Sequence, residues 1–168
     1  MLRRLICLLG LAVLSVAPAR ADEHAAAQLP LIPAASGAYY VNATFGHAVH
    51  TELLVDTGSS YVGLSERTFR KLKEDAGAAY VRAIRGRTAA GRVVNVAVYA
   101  IPMLTLGRHC VLRDVEAVVL PGADRDILGL SALRHLQPFS MALEPPTLSV
   151  SSCAPGASVQ RAAATVGS

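Results

Sequence analysis

Leu53-Leu54-Val55-Asp56-Thr57-Gly58-Ser59-Ser60 is the stretch on which the reading of this chain turns. Three apolar residues make a short buried strand, and a carboxylate follows them directly. An acid at the mouth of a core is costly unless hydrogen bonds or chemistry hold it there. Thr57 offers a hydroxyl to a local network, and Gly58 allows a close backbone approach or a positive φ. Taken alone, the tripeptide Asp56-Thr57-Gly58 is equally the turn that ends a strand.

A second segment changes that balance. About 70 residues downstream stands Asp126-Ile127-Leu128-Gly129-Leu130-Ser131-Ala132-Leu133, apolar residues and a glycine leading into a helical pattern. Between the two lies Arg87-Thr88-Ala89-Ala90-Gly91, a small-residue tip between strand-like runs. In this order the three elements resemble the retropepsin-like, single-lobed aspartic proteases of clan AA. In that family two apolar residues precede Asp-Thr/Ser-Gly, a hairpin flap follows, and an apolar pair with glycine closes the core. The likeness runs from Tyr39 to Val150. It implies an all-β acid-protease barrel with one or two short helices, one lobe per chain. The bacterial members often read Thr-Ala-Asn-Gly at the flap tip, and this chain has Ala90 in place of the Asn.

The resemblance also implies roles. Asp56 is the catalytic carboxylate. Thr57, Gly58 and Ser59 support its loop, Ile127, Leu128 and Gly129 form the second core element, and Arg87–Gly91 is the flap. Peptide hydrolysis by this route uses two carboxylates sharing one proton, one acting as base toward water and one donating to the scissile carbonyl. The chain supplies one. Asp75-Ala76-Gly77 follows Lys71-Leu72-Lys73-Glu74 rather than an apolar strand and reads as a helix stop. Asp126 reads as a structural hydrogen-bonding residue. A two-fold homodimer would bring Asp56 beside its symmetry mate. The implied activity is endopeptidase action on a protein or peptide substrate. The competing class is a binding or scaffolding domain that keeps the fold without turnover.

Outward from these motifs, texture gives the remaining elements. Tyr39–Phe45 and Ala48–Val55 flank Gly46-His47 as a hairpin. Glu66–Lys73 reads as a helix stopped at Gly77. Ala79–Arg85 and Arg92–Ile101 make a second hairpin, and Met103–Leu106 and Cys110–Leu120 two further strands joined at Gly107-Arg108. Met141–Leu143 and Thr147–Ser151 close the domain around Pro145-Pro146. Short strands between Gly and Pro turns point to a barrel or sandwich. Asp22–Gly37, with Pro30 and Pro33 and no clear period, reads as an arm leading into a domain at 38–153. The tail 154–168 is small and polar and reads as disordered.

At the other end, Arg3 and Arg4, the apolar run Leu5–Val16 and Ala19-Arg20-Ala21 have the order of a secretory signal peptide over residues 1–21. The apolar run is short for a membrane span, the alternative being an uncleaved anchor. Cleavage after Ala21 leaves enough chain for one ordinary domain. Three of the basic residues and no acids lie in the leader, so the net charge of +4 falls to +1 in the mature chain. With Lys71 and Lys73 as the only lysines and no basic run interleaved with aromatics, nothing supports nucleic-acid binding. Apolar residues make up 52% and Trp is absent, which describes a compact β-rich chain rather than a disordered one.

Cys110 and Cys153 remain after the leader is removed, and in an oxidising compartment such a pair is expected to be bridged. The expected destination is export, periplasmic or secreted, with the Ala- and Arg-rich composition pointing to the periplasm of a bacterium. No stable membrane insertion is expected once the leader is cleaved. His24, His47, His50, His109 and His135 show no metal spacing, and neither a metal nor a cofactor is expected.

Overall fold

The structure, a computed structural model, describes residues 27–75, 77–88 and 91–153. The elements in chain order are β1 (Ala27–Pro33), β2 (Tyr39–Phe45), β3 (Val49–Val55), β4 (Val62–Ser65), α1 (Glu66–Asp75), β5 (Ala79–Arg87), β6 (Val93–Leu106), β7 (Cys110–Leu120), β8 (Asp126–Leu128), α2 (Leu130–Leu133), a 3-10 turn at Arg134–Leu136, β9 (Phe139–Leu143) and β10 (Pro146–Val150). The fold is all-β with two short helices. Six strands close a barrel in the order β6-β7-β4-β8-β3-β2, with β2 returning to β6 at Ala43–Phe45. Closure leaves these six without a free edge. Outside the barrel, β5 extends β6, and β1-β10-β9 continue from β2.

The barrel interior is filled by branched aliphatics and Phe45. Leu53, Leu64, Ile101, Leu104 and Leu128 are all fully buried. Alternation along the strands sets which side chains enter: β2 buries Val41, Ala43 and Phe45 and turns Asn42 out. Two pairings are parallel, β3 with β8 and β4 with β7. They bring together segments far apart in sequence, and the site is built on them. A smaller apolar cluster of Val96, Val98 and Val118, flanked by Tyr61, Ile84, Val94 and Leu120, lies apart from the main core under the β5–β6 hairpin.

Helix α1 starts where Ser65 caps it, accepting from the Thr68 amide at 3.3 Å, and packs Thr68 and Leu72 inward one turn apart. It runs two residues beyond the expected Lys73.

Several expectations change. Residues 27–33, read as part of a lead-in arm, form β1, which pairs with β10 through Pro30 and with β2 from Leu31. Its period was hidden because the inward positions hold Leu29 and Leu31 while Pro30 and Pro33 face out. Arg92–Ile101 and Met103–Leu106, expected as two strands, are the single strand β6. Pro102 lacks an N–H and sits where β6 exchanges β5 for β2 as its neighbour. The β6–β7 ladder skips Pro102 and Asp114, and Asp114 has a left-handed φ of 52°. Residues 1–21, expected as a leader, residues 22–26 and the tail from 154 lie outside the described residues.

Candidate active site

Asp56 is the first residue past β3. Leu53, Leu54 and Val55 pair in parallel with Asp126, Ile127 and Leu128, so the strand that presents Asp56 rests on the second sequence motif. The Asp56 amide donates to the Leu128 carbonyl at 3.1 Å, which fixes the backbone from which the carboxylate projects. One carboxylate oxygen, Oδ1, accepts the Gly58 amide at 2.9 Å. The Ser59 amide returns to the Asp56 carbonyl at 3.3 Å, and Ser59 Oγ donates to the Tyr61 carbonyl at 2.9 Å. Asp56 is half-buried, whereas Thr57 and Gly58 are exposed. The carboxylate thus stands at a surface, held from behind on one oxygen.

Gly129 is what allows the loop to sit there. A Cβ at this position would lie 2.1 Å from the Tyr61 carbonyl oxygen and 2.8 Å from that of Ser59. Its φ of −97° is open to any residue, so the requirement is space rather than conformation. Immediately beyond, the Leu130 amide donates to the Ser59 carbonyl at 2.8 Å and the Ser131 amide to that of Ser60 at 3.0 Å. Ser131 Oγ accepts the Val62 amide at 2.8 Å and donates to the Glu116 carbonyl at 2.6 Å. The start of α2 therefore satisfies the carbonyls of the Asp56 loop through its otherwise orphan amides.

Asp126 is 4% exposed and fully engaged. It accepts from Thr51 Oγ1, the Ser65 amide and Thr68 Oγ1, each at 2.7 Å. The three donors tie β3, β4 and α1 to β8, the structural role its sequence context suggested.

The model of the family described as "gag-polyprotein putative aspartyl protease" matches residues 41–135, a span holding the Asp56 loop, the hairpin and the second motif. The chain belongs to the retropepsin-like aspartic protease family. No curated protein sequence matches it. Its structure is similar to the crystal structure of a retropepsin-like aspartic protease from Rickettsia conorii, with a TM-score of 0.54 over 74% of this chain and 90% of that one. The two are 22% identical, so that likeness is one of fold.

Within the retropepsin-like frame, Ile127, Leu128 and Gly129 lie against the Asp56 loop as described. At the tip of the β5–β6 hairpin, the Thr88 amide donates to the Arg92 carbonyl at 2.9 Å and the Gly91 amide to that of Thr88 at 2.8 Å, with Gly91 at a φ of 78°. Arg87, Thr88 and Gly91 thus sit at the end of the β5–β6 hairpin, while Ala89 and Ala90 lie outside the described residues. Cys110 and Cys153 are disulfide-bonded, with Cα atoms 4.8 Å apart, linking the start of β7 to the stretch that follows β10. Among the described residues no group of three or more His, Cys, Asp or Glu could hold a metal, and no helix is long and apolar enough to cross a membrane.

Sequence reasoning missed one charged cluster. Arg82 on β5 forms a two-pronged ion pair with Glu116 on β7 and also donates to the Tyr61 hydroxyl at 3.1 Å. The hydrogen bond from Arg82 holds the Glu116 carboxyl below the usual carboxylate range, against the smaller opposing effect of partial burial. Arg82 and Glu116 stand 34 residues apart on different strands, and no local pattern links them.

Proposed function

We propose that this chain is an exported aspartic endopeptidase whose active unit is a homodimer, with Asp56 and its symmetry mate sharing one proton and activating a water for attack on an extended peptide. The observation that carries the reading is the seating of Asp56. Its carboxylate is half-buried and held on one oxygen by the Gly58 amide, its backbone is fixed by Leu128, and among the described residues nothing bonds its second oxygen. General acid–base chemistry needs such a preorganised group at a surface that substrate can reach. Asp126 cannot supply the second carboxylate, because both of its oxygens are occupied by donors inside the fold. A dyad therefore calls for a second copy, and the exposed Thr57 beside Asp56 is available to brace the two loops across the two-fold axis.

In this reading Gly58 and Ser59 keep the loop in shape and the Arg87–Gly91 tip covers the bound peptide, excluding water from the reaction. The buried Cys110 bonded to Cys153 supports an oxidising destination such as the periplasm.

The test is proteolysis of an unfolded protein by residues 22–168 and by the Asp56→Asn variant, from acid to neutral pH and over a range of enzyme concentrations. Cleavage that vanishes in Asp56→Asn, while the variant stays folded, is expected. The rate should rise faster than linearly with enzyme concentration at the dilute end. Peptide binding without cleavage by the folded wild type would sink the endopeptidase reading and leave a binding domain.

A further inference from the structure

The β5–β6 hairpin leaves the barrel at one rung. Pairing of β6 with β7 runs from Leu106 and Cys110 up to Val98 and Val118, where it stops. Beyond that rung, residues 83–87 and 93–97 pair with each other alone. Arg82 stands on the rung itself, in a row that runs Arg82, Val98, Val118, Gly63 across β5, β6, β7 and β4. Just before it the β5–β6 register slips between Tyr80 and Arg82, leaving Val81 as an extra residue that is 44% exposed. A bulge bends a strand and raises its twist. The last barrel rung and the bend coincide within one residue of Arg82.

The side chain of Arg82 spans this point. Its edge strand pairs with β6 alone among the described residues, yet the guanidinium crosses β6 to Glu116 on β7, with Nη1 to Oε1 at 2.5 Å and Nη2 to Oε2 at 2.8 Å. Glu116 lies two residues from Val118 and so on the same face of the sheet. The same Nη2 donates to the hydroxyl of Tyr61, whose carbonyl is the group packed against Gly129 beneath the Asp56 loop. Glu116 in turn offers its carbonyl to Ser131 at the start of α2. The hairpin, the Asp56 loop and the second core motif thus meet at one ion pair. A lone exposed salt bridge contributes little to a fold. A two-pronged pair closed by a third partner fixes geometry, which is what a hinge requires.

We propose that Arg82, Glu116 and Tyr61 form a clasp that sets the resting pose of the β5–β6 hairpin relative to the Asp56 loop, with Arg82 as a positioning residue. Arg82 touches no reacting atom. It acts by tying the rung where the hairpin departs to the loop that carries the carboxylate. The consequence for peptide binding rests on the endopeptidase reading above, whereas the hold on the hairpin does not. The apolar cluster of Val96, Val98 and Val118 lies beneath the same rung and keeps the strands packed when the clasp is cut, so loss of the clasp frees the pose without unfolding the sheet.

The experiment is amide hydrogen exchange by mass spectrometry on residues 22–168, comparing 83–88 and 91–97 with barrel residues 41–55. Arg82→Ala is expected to speed exchange in the hairpin by about threefold to tenfold while 41–55 changes by less than about twofold. The reversed pair Arg82→Glu with Glu116→Arg should restore most of the protection that either single change removes. Tyr61→Phe, which keeps the ring and deletes only the hydroxyl, should speed the hairpin by about twofold. In the active enzyme, KM for a peptide should rise in Arg82→Ala by the same factor as exchange, with kcat held within about twofold. Unchanged hairpin exchange, equal acceleration in the barrel, or failure of the reversed pair to restore protection overturns the clasp. Faster hairpin exchange with KM unchanged overturns its part in substrate binding. A wild type that cleaves nothing leaves the exchange result to decide the clasp and counts against the endopeptidase reading alone.

Discussion

Replacing Gly129 by Ala tests the central packing argument at a single methyl group. The added Cβ would lie 2.1 Å from the Tyr61 oxygen, 2.6 Å from the Tyr61 carbonyl carbon and 2.8 Å from the Ser59 oxygen. All three are backbone atoms, so no side-chain rotation relieves the clash. Non-bonded carbon contacts settle near 3.5–4.0 Å, and the Asp56 loop and α2 must part by roughly 1 Å. Overpacking of this kind costs about 1–3 kcal/mol. The separation also stretches two bonds to the loop carbonyls, Leu130 to Ser59 and Ser131 to Ser60, each contributing about 1 kcal/mol. The expected loss is therefore about 3–5 kcal/mol, measured by urea denaturation with circular dichroism. Gly122→Ala is the control. Gly122 has a φ of 71° with nothing within 4 Å of its Cβ position, so its cost is conformational and about 1 kcal/mol. Equal losses in the two variants, or a loss at Gly129→Ala below about 1 kcal/mol, would refute the claim that close approach is what this glycine serves.

Two other perturbations separate roles that the sequence leaves mixed. Asp126→Ala strands the Thr51 and Thr68 hydroxyls and the Ser65 amide, and should destabilise the domain by about 3 kcal/mol or more in the same assay. Asp126→Asn, which can still accept from one or two of them, should lose less, and a smaller loss in Ala than in Asn would contradict the network. Reduction of the Cys110–Cys153 bond, which spans a separation of 43 residues, should remove about 4 kcal/mol in the chain-entropy account. An unfolding midpoint indifferent to reductant would show that the bond is absent or carries no constraint.

The Asp56 motif was legible because its signal is local. Three apolar residues, an acid, a hydroxyl residue and a glycine follow one another, and the apolar-glycine motif about 70 residues on separates this pattern from an ordinary strand-ending turn. The same holds for Ile127-Leu128-Gly129 and for the hairpin with its small-residue tip. Other parts left little trace. β4 and β8 have four and three residues, too short for a period to show, and β4 is buried along its whole length. In β1 the exposed prolines masked the alternation of Leu29 and Leu31. Pro102 hides the continuity of β6 from the sequence, and the strand tolerates it because it changes neighbours there.

By itself, then, the sequence determined the family, through three short motifs in a fixed order, and with it the barrel class and the carboxylate that stands at the end of a buried strand, because each motif is written in residue types adjacent along the chain. Only the tertiary structure decided what surrounds that carboxylate. The parallel pairing of β3 with β8 sets Leu128 behind Asp56, and Gly129 makes room for a carbonyl that no local pattern could place against it. The rung at which the hairpin leaves the barrel sets Arg82 across from Glu116. Contacts between residues tens of positions apart depend on strand register, and register is fixed by which side chains the closed barrel can bury together.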